Sequence, residues 1–285
     1  MNYSSLLAVQ GLKALDGGEK EEEDMAIIVS GRGMALVILV LSYILFYVFM
    51  YLGRKGKEIP VRTLPPMAAI PEGIGRAAEM GRPVMFTPGI AGDLNDPTQG
   101  PQVLAAISIL GYIARECART GVKLDVFMPI PTALPLTEET LRTAYMAEGK
   151  PEEFSPDMIH FIAGQSPYLT AVLGYFQRER PATNFLIGGF YYESVVMGEG
   201  GNTIGAFQIG GTANTHQMPF LVATCDYVLL AEELYAAGAS ISKDPDILGC
   251  LRGEDIMKFI LIALMIIGFL LGFARNPALI NVLRW

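Results

Sequence analysis

Cysteine, histidine and tryptophan are scarce in this chain, with three, two and one copies among 285 residues. Cys117, Cys225 and Cys250 are widely spaced and odd in number, which excludes a disulfide framework and a Cys-x-x-Cys metal site. They read as small buried hydrophobes of a reducing compartment. His160 and His216 are too few for a recognisable metal site, so no metal is expected. The formal net charge is −8 and Lys and Arg cluster in only one short stretch, which excludes nucleic acid as the main partner because phosphate neutralisation needs concentrated positive charge. Neither G-x-x-x-x-G-K-[ST] nor a G-x-G-x-x-G after the first strand is present, so no nucleotide cofactor is identified, and Ser194 lacks the glycines of a nucleophile elbow. The first residues lack the basic start, long apolar centre and small-residue cleavage site of a secretory signal, so the first apolar run is expected to stay as an anchor.

Long apolar runs are what the chain does have. Met34–Leu52 is nineteen uncharged, mostly apolar residues, which at about 1.5 Å per residue approaches the ~30 Å of a hydrocarbon core. Arg32 alone lies close before it, whereas Arg54, Lys55, Lys57 and Arg62 crowd the other side. The positive-inside rule then places the following domain in the cytoplasm. A second run, Phe259–Ala274, is shorter at sixteen residues, but Ile256 and Met257 extend it while Lys258 snorkels to the interface. Two spans put both termini outside a cell membrane. The expected organisation is an acidic tail over 1–33, a first span over 34–52, a basic flank and proline-rich extended linker over 53–69, a cytoplasmic domain over 70–250, a juxtamembrane segment and second span over 251–275, and a tail over 276–285.

Between the spans, short β-rich runs alternate with helical ones. Strands are expected at Pro83–Thr87, Lys123–Met128, Asp157–Ala163, Asn184–Gly188, Ala206–Ile209 and Tyr227–Leu230. Helices are expected at about Glu72–Met80, Gln102–Arg119, from a Thr137 cap to Gly149, Ser166–Arg180, Tyr191–Met197, His216–Thr224 and Glu232–Ala239. Strand and helix in alternation predict an α/β fold, a mainly parallel sheet of about six strands with helices on both faces.

In such a sheet ligands bind beyond the carboxyl ends of the strands, near the point where strand order reverses. The candidate ligand-binding residues therefore follow strands. They are Gly89, Gly92, Asp93 and Asn95 after the first, Gly188, Gly189 and Glu193 after the fourth, and Gly210, Gly211, Thr212, Asn214, Thr215 and His216 after the fifth. Paired glycines permit positive φ and close approach of a backbone or a ligand. The fifth loop leads into a helix whose amino terminus can hold a phosphate or carboxylate. The competing reading makes the glycines tight turns, Asn214 or Thr215 a helix cap, and Asp93, Asn95 and Asp96 turn formers. Asp93, Glu193 and His216 are the acid–base candidates, while His160 reads as a packed strand residue and Gly198–Gly201 precedes a strand, away from the crevice.

Gly75-Arg76-Ala77-Ala78-Glu79-Met80-Gly81-Arg82-Pro83-Val84, Phe207-Gln208-Ile209-Gly210-Gly211-Thr212-Ala213 and Ala231-Glu232-Glu233-Leu234-Tyr235-Ala236-Ala237-Gly238-Ala239 together resemble an uncharacterised prokaryotic membrane family carried under a domain-of-unknown-function label. The resemblance runs from about Leu64 to Phe273 and implies a Rossmann-like cytoplasmic domain between two membrane helices; it assigns no catalytic residue. The expected function is a membrane-anchored scaffold or assembly subunit that binds a small anionic ligand at the strand ends. Its partners are the lipid bilayer and further copies or other subunits of a membrane complex, with the Ala236–Ala239 face offered for self-association. The alternative is a membrane-bound enzyme acting on a phosphorylated or carboxylated small molecule through Asp93, Glu193 and His216.

Overall fold

The computed structural model describes residues 33–55, 64–242 and 245–273. The acidic amino-terminal tail, most of the basic flank and the carboxy-terminal tail expected above lie outside them. The chain divides into two compact units, Pro60–Asp244 and Met1–Ile59 with Pro245–Trp285.

The larger unit opens with α2, Pro65–Met80, where an extended linker was expected. Prolines 65 and 66 occupy its first turn, where the missing N–H groups have no helical partner to lose, so they start a helix as readily as they stop one. Gly81 closes it in the left-handed conformation, φ 61°, with its N–H on the carbonyls of Ala77 and Ala78. Strand β1 (Val84–Gly89), helix α3 (Gly100–Thr120), strand β2 (Leu124–Met128), helix α4 (Leu134–Ala147), strand β3 (Ile159–Phe161) and helix α5 (Gln165–Glu179) follow. Then come β4 (Thr183–Gly189), α6 (Glu193–Thr203), β5 (Phe207–Thr212), α7 (Met218–Thr224), β6 (Tyr227–Leu230) and α8 (Glu232–Ser242). Helix α4 begins at Leu134-Pro135, so Thr137 is not its cap; its buried hydroxyl bonds back to the Ala133 carbonyl instead. Likewise α7 begins two residues after His216, at Met218-Pro219. Strand β3 keeps only three of the seven residues expected, because the 3₁₀ turn Pro156–Met158 occupies the start of that run.

All six strands are parallel, in the order β3-β2-β1-β4-β5-β6. This is the doubly wound, Rossmann-like arrangement. Every residue of the four central strands is buried, and alternate side chains enter two cores. Val84, Phe86, Val126, Phe185 and Ile187 pack with α2, α3, α4 and α8 through Ile70, Ile113, Tyr145 and Leu234. Met85, Phe127 and Leu186 pack with α5, α6 and α7 through Tyr168, Phe176, Met197 and Leu221. The small-residue face expected to mediate self-association is occupied within the domain. A Cβ on Gly238 would stand 3.1 Å from Ala105 Cα of α3, and Ala237 and Ala239 are buried.

The other unit is an antiparallel helix pair, α1 (Gly33–Arg54) and α9 (Pro245–Phe273). Three contacts set its register: the Arg54 guanidinium grips both Asp246 carboxylate oxygens at 2.6 and 2.7 Å, Gly249 abuts the Met50 backbone, and Gly253 abuts Phe46. A Cβ on Gly249 would lie 2.7 Å from Met50 Cα, so only glycine lets the two backbones close to this distance. Among the described residues one helix, Ala35–Arg54, is long and apolar enough to cross a membrane.

Candidate functional site

Strand order reverses between β1 and β4, so the crevice of this sheet lies at their carboxyl ends. Glycine builds its floor. Gly89 (φ 75°) and Gly188 (φ 144°) hold conformations that other residues adopt at a cost, and a Cβ on either would run into the carbonyl of Gly189 or of Pro88. The Ala91 N–H reaches across to the Gly189 carbonyl at 2.9 Å. These three predicted site glycines are thus brought together, and they join two backbones. Gly210 and Gly211 lie within β5, where Gly210 admits Leu221 and Cys225 against the sheet.

The long loop after β1 folds on itself. Asp93 accepts the Thr132 hydroxyl and, at 3.4 Å, the Asn95 N–H. Asp96 accepts the Thr98 hydroxyl, Thr98 N–H and Gln99 N–H, bonds that hold its carboxyl below the usual range. Both are turn formers here. Gly92 (φ 102°) leaves room for the Gln99 side chain. Gln99 then bonds Asn214 at 3.2 Å and accepts from buried Gln102, whose Oε1 takes the Ala213 N–H at 3.2 Å. This glutamine pair ties the β1 loop to the β5 loop. Thr212 accepts the Asn214 N–H at 3.2 Å, while Thr215 and His216 are exposed.

Glu193 is different. It stands in the first turn of α6 and is fully buried. Its Oε2 accepts the Tyr191 N–H at 3.0 Å, and its Oε1 is buried with no hydrogen-bond partner. Beside it, the Tyr168 hydroxyl pairs with Thr87 Oγ1, which donates to the Phe127 carbonyl at 2.9 Å. Burial, and then the Glu193 charge, push the Tyr168 hydroxyl above the ordinary tyrosine range against the effect of the Thr87 bond. Ser194, next in the chain, lies 2.5 Å from Gln217 Oε1, which links α6 to the β5 loop. Thr87, Gln99, Gln102, Tyr168 and Gln217 carried no sequence signal, being single polar residues outside any motif.

No two of Asp93, Glu193 and His216 are joined by a hydrogen bond among the described residues. The domain cysteines are poor nucleophiles, since burial pushes Cys117 far up and Cys225 up to about 12. Elsewhere, Asp125 on β2 receives His160 Nε2 at 3.0 Å, the Tyr175 hydroxyl at 2.7 Å and Lys123 Nζ at 2.9 Å. Among the described residues no group of three or more His, Cys, Asp or Glu is placed to hold a metal ion.

Residues 24–282 match the model of a family described as a domain of unknown function (DUF6754). No curated protein and no solved structure matches the chain. The chain belongs to that family.

Proposed function

We propose that this member of the family is a membrane-anchored binding subunit. Its Rossmann-like domain holds a small ligand at the β1/β4 crevice and works within a larger membrane assembly, not as a catalyst. The observation that carries this reading is Glu193 Oε1, a buried acceptor with no partner beside the point where strand order reverses. An unmet buried acceptor costs about 1–3 kcal/mol, more when charged, so a fold that keeps one has a use for it. Its charge favours a ligand that presents an ammonium or hydroxyl groups. The anion expected at the β5 loop is disfavoured, because α7 has only seven residues and the unmet group in the first turn of α6, Glu193 Oε1, is itself an acceptor. Asp93 is engaged with Thr132 and Asn95 and His216 is exposed, which favours the binding reading over the enzyme alternative.

Anchoring rests on the apolarity of Ala35–Arg54 and on the exposed Phe259, Ile262, Met265, Ile266 and Phe269 of α9. We read these as two spans, with Arg54, Lys55, Lys57 and Arg62 holding the domain in the cytoplasm and both termini outside. Exposed Tyr191, Tyr192, Phe220 and Val222 favour a protein partner for the domain.

The test is thermal unfolding of the full chain in nanodiscs with methylamine, adenosine or inorganic phosphate as probe. A ligand that binds only the folded state raises the midpoint. Methylamine or adenosine is expected to do so for the wild type and not for Glu193→Gln. A shift by phosphate that survives Glu193→Gln, or no shift from any probe, counts against the reading.

A further inference from the structure

The register of the α1–α9 pair has a consequence for how it meets a bilayer. From Arg54 opposite Asp246, the contacts pass to Met50 opposite Gly249 and Phe46 opposite Gly253. Continued at equal rise, this sets Arg252–Lys258 alongside about residues 41–47, the middle of the apolar run of α1. At that level the pair has two unlike sides. The outer face of α1 shows Tyr43, Ile44, Tyr47 and Val48, with Tyr47 76% exposed. The face of α9 turned away from Gly253 carries Arg252, Glu254, Asp255 and Lys258, with Arg252 and Asp255 exposed and Lys258 bonded to Glu254 at 3.3 Å. Lipid all round would leave charge in hydrocarbon, and water all round would leave a tyrosine and aliphatic stripe wet.

We propose that the charged face of α9 docks on the same face of a second copy, leaving the α1 faces to the lipid. This inference rests on the membrane reading above. Both signs lie on that face within one helical turn, so it is self-complementary. Two copies inserted in the same sense run α9 beside α9 in parallel, and Arg252 of each stands about 4.5 Å in height from Asp255 of the other, within reach of an arginine side chain. Intramembrane charges pair in this way when they face a bundle interior. A partner of different sequence would need to supply the same alternation, whereas a second copy has it by construction.

The test uses the full chain in native membranes with Cys250→Ser as background. Ile262→Cys, on the same face of α9 and 47% exposed, leaves the charges in place and is expected to form an oxidative dimer, and Val48→Cys to remain monomeric. Arg252→Glu is expected to lose the dimer on native mass spectrometry, and adding Asp255→Arg to restore it. Cross-linking through Val48→Cys and not Ile262→Cys would overturn the proposal, as would failure of both. Alkaline carbonate extraction separates the two layers of the argument. Release of the wild type from membranes defeats the anchoring reading, whereas retention without cross-linking defeats only the pairing. Should Arg252→Glu fail to accumulate, the cysteine pair still decides.

Discussion

Replacing Glu193 by glutamine changes one atom of a buried carboxylate and separates its structural cost from its use. In the wild type, Oε2 takes the Tyr191 N–H at 3.0 Å and Oε1 takes nothing. Glutamine keeps an oxygen for Tyr191 and replaces the buried charge with a neutral amide. The bond to Tyr191 weakens from charge-assisted to neutral, a loss of about 1 kcal/mol. Against this, glutamine removes the buried charge, but the amide nitrogen that takes the place of Oε1 brings two N–H donors to a place with no partner, so only the difference between a charged and a neutral unmet group is relieved, about 1–2 kcal/mol. The expected net is a ligand-free domain within about 1 kcal/mol of the wild type. For a domain of this size each kcal/mol moves the unfolding midpoint by about 2–4 °C, so a shift of no more than about 4 °C is expected. The assay is thermal unfolding of the full chain in nanodiscs without added probe, read alongside the probe titrations. A fall beyond that would refute the reasoning, since it would mean that the carboxylate is already satisfied and serves the fold.

Asp125 gives a pH signature. Burial alone would raise its carboxyl, but the bonds from His160, Tyr175 and Lys123 together hold it below the ordinary range. A folded-state value below the unfolded one contributes stability above the unfolded pKa, about 3.9, and loses it as pH falls through the folded value. Wild-type stability is therefore expected to drop below about pH 4 by more than that of Asp125→Asn, in chemical unfolding measured from pH 3 to 7. Asp125→Ala at neutral pH strands the Tyr175 hydroxyl and is expected to cost about 2–4 kcal/mol; a cost near zero would show the cluster to be idle. Two glycines with similar φ give a matched contrast. Gly89→Ala drives a Cβ into the Gly189 carbonyl, whereas Gly121→Ala, at φ 71°, meets open space. The first is expected to abolish accumulation of folded protein, and the second to cost only the left-handed strain of about 1–2 kcal/mol in an unfolding titration.

The strands were legible because four of them are buried on both faces, so Val84–Phe86 and Phe185–Ile187 read as continuous apolar runs and Leu124–Met128 as one broken only by Asp125. The order in which they pair was not, since nothing local to β1 says that β4 is its neighbour. Helix starts failed where proline stands at the boundary. Pro65-Pro66, Pro135 and Pro219 each open a helix, and a proline in the first turn leaves the same trace in sequence as a proline that ends one. The register of α1 and α9 was invisible for a related reason. Each helix read alone is an apolar run with its own limits, and only the contacts of Gly249 with Met50 and Gly253 with Phe46 show that those limits are offset.

Loop length decides what each candidate residue meets. Asp93, Glu193 and His216 all follow strands, which puts them on the edge of the sheet that carries the crevice. After β4, Phe190, Tyr191 and Tyr192 lead into α6, so Glu193 falls in the first helical turn and is fully buried. After β5 the chain runs from Ala213 to Gln217 before α7 begins, long enough for His216 to reach solvent. After β1 the loop is longer still, and Asp93 and Asp96 spend their oxygens on its own turns and on Thr132. Three strand-end residues of equal promise in sequence thus meet three fates, set by how many residues separate each from the next helix. Of these three, Glu193 alone is left with a buried acceptor unspent, which is why the ligand reading rests on it.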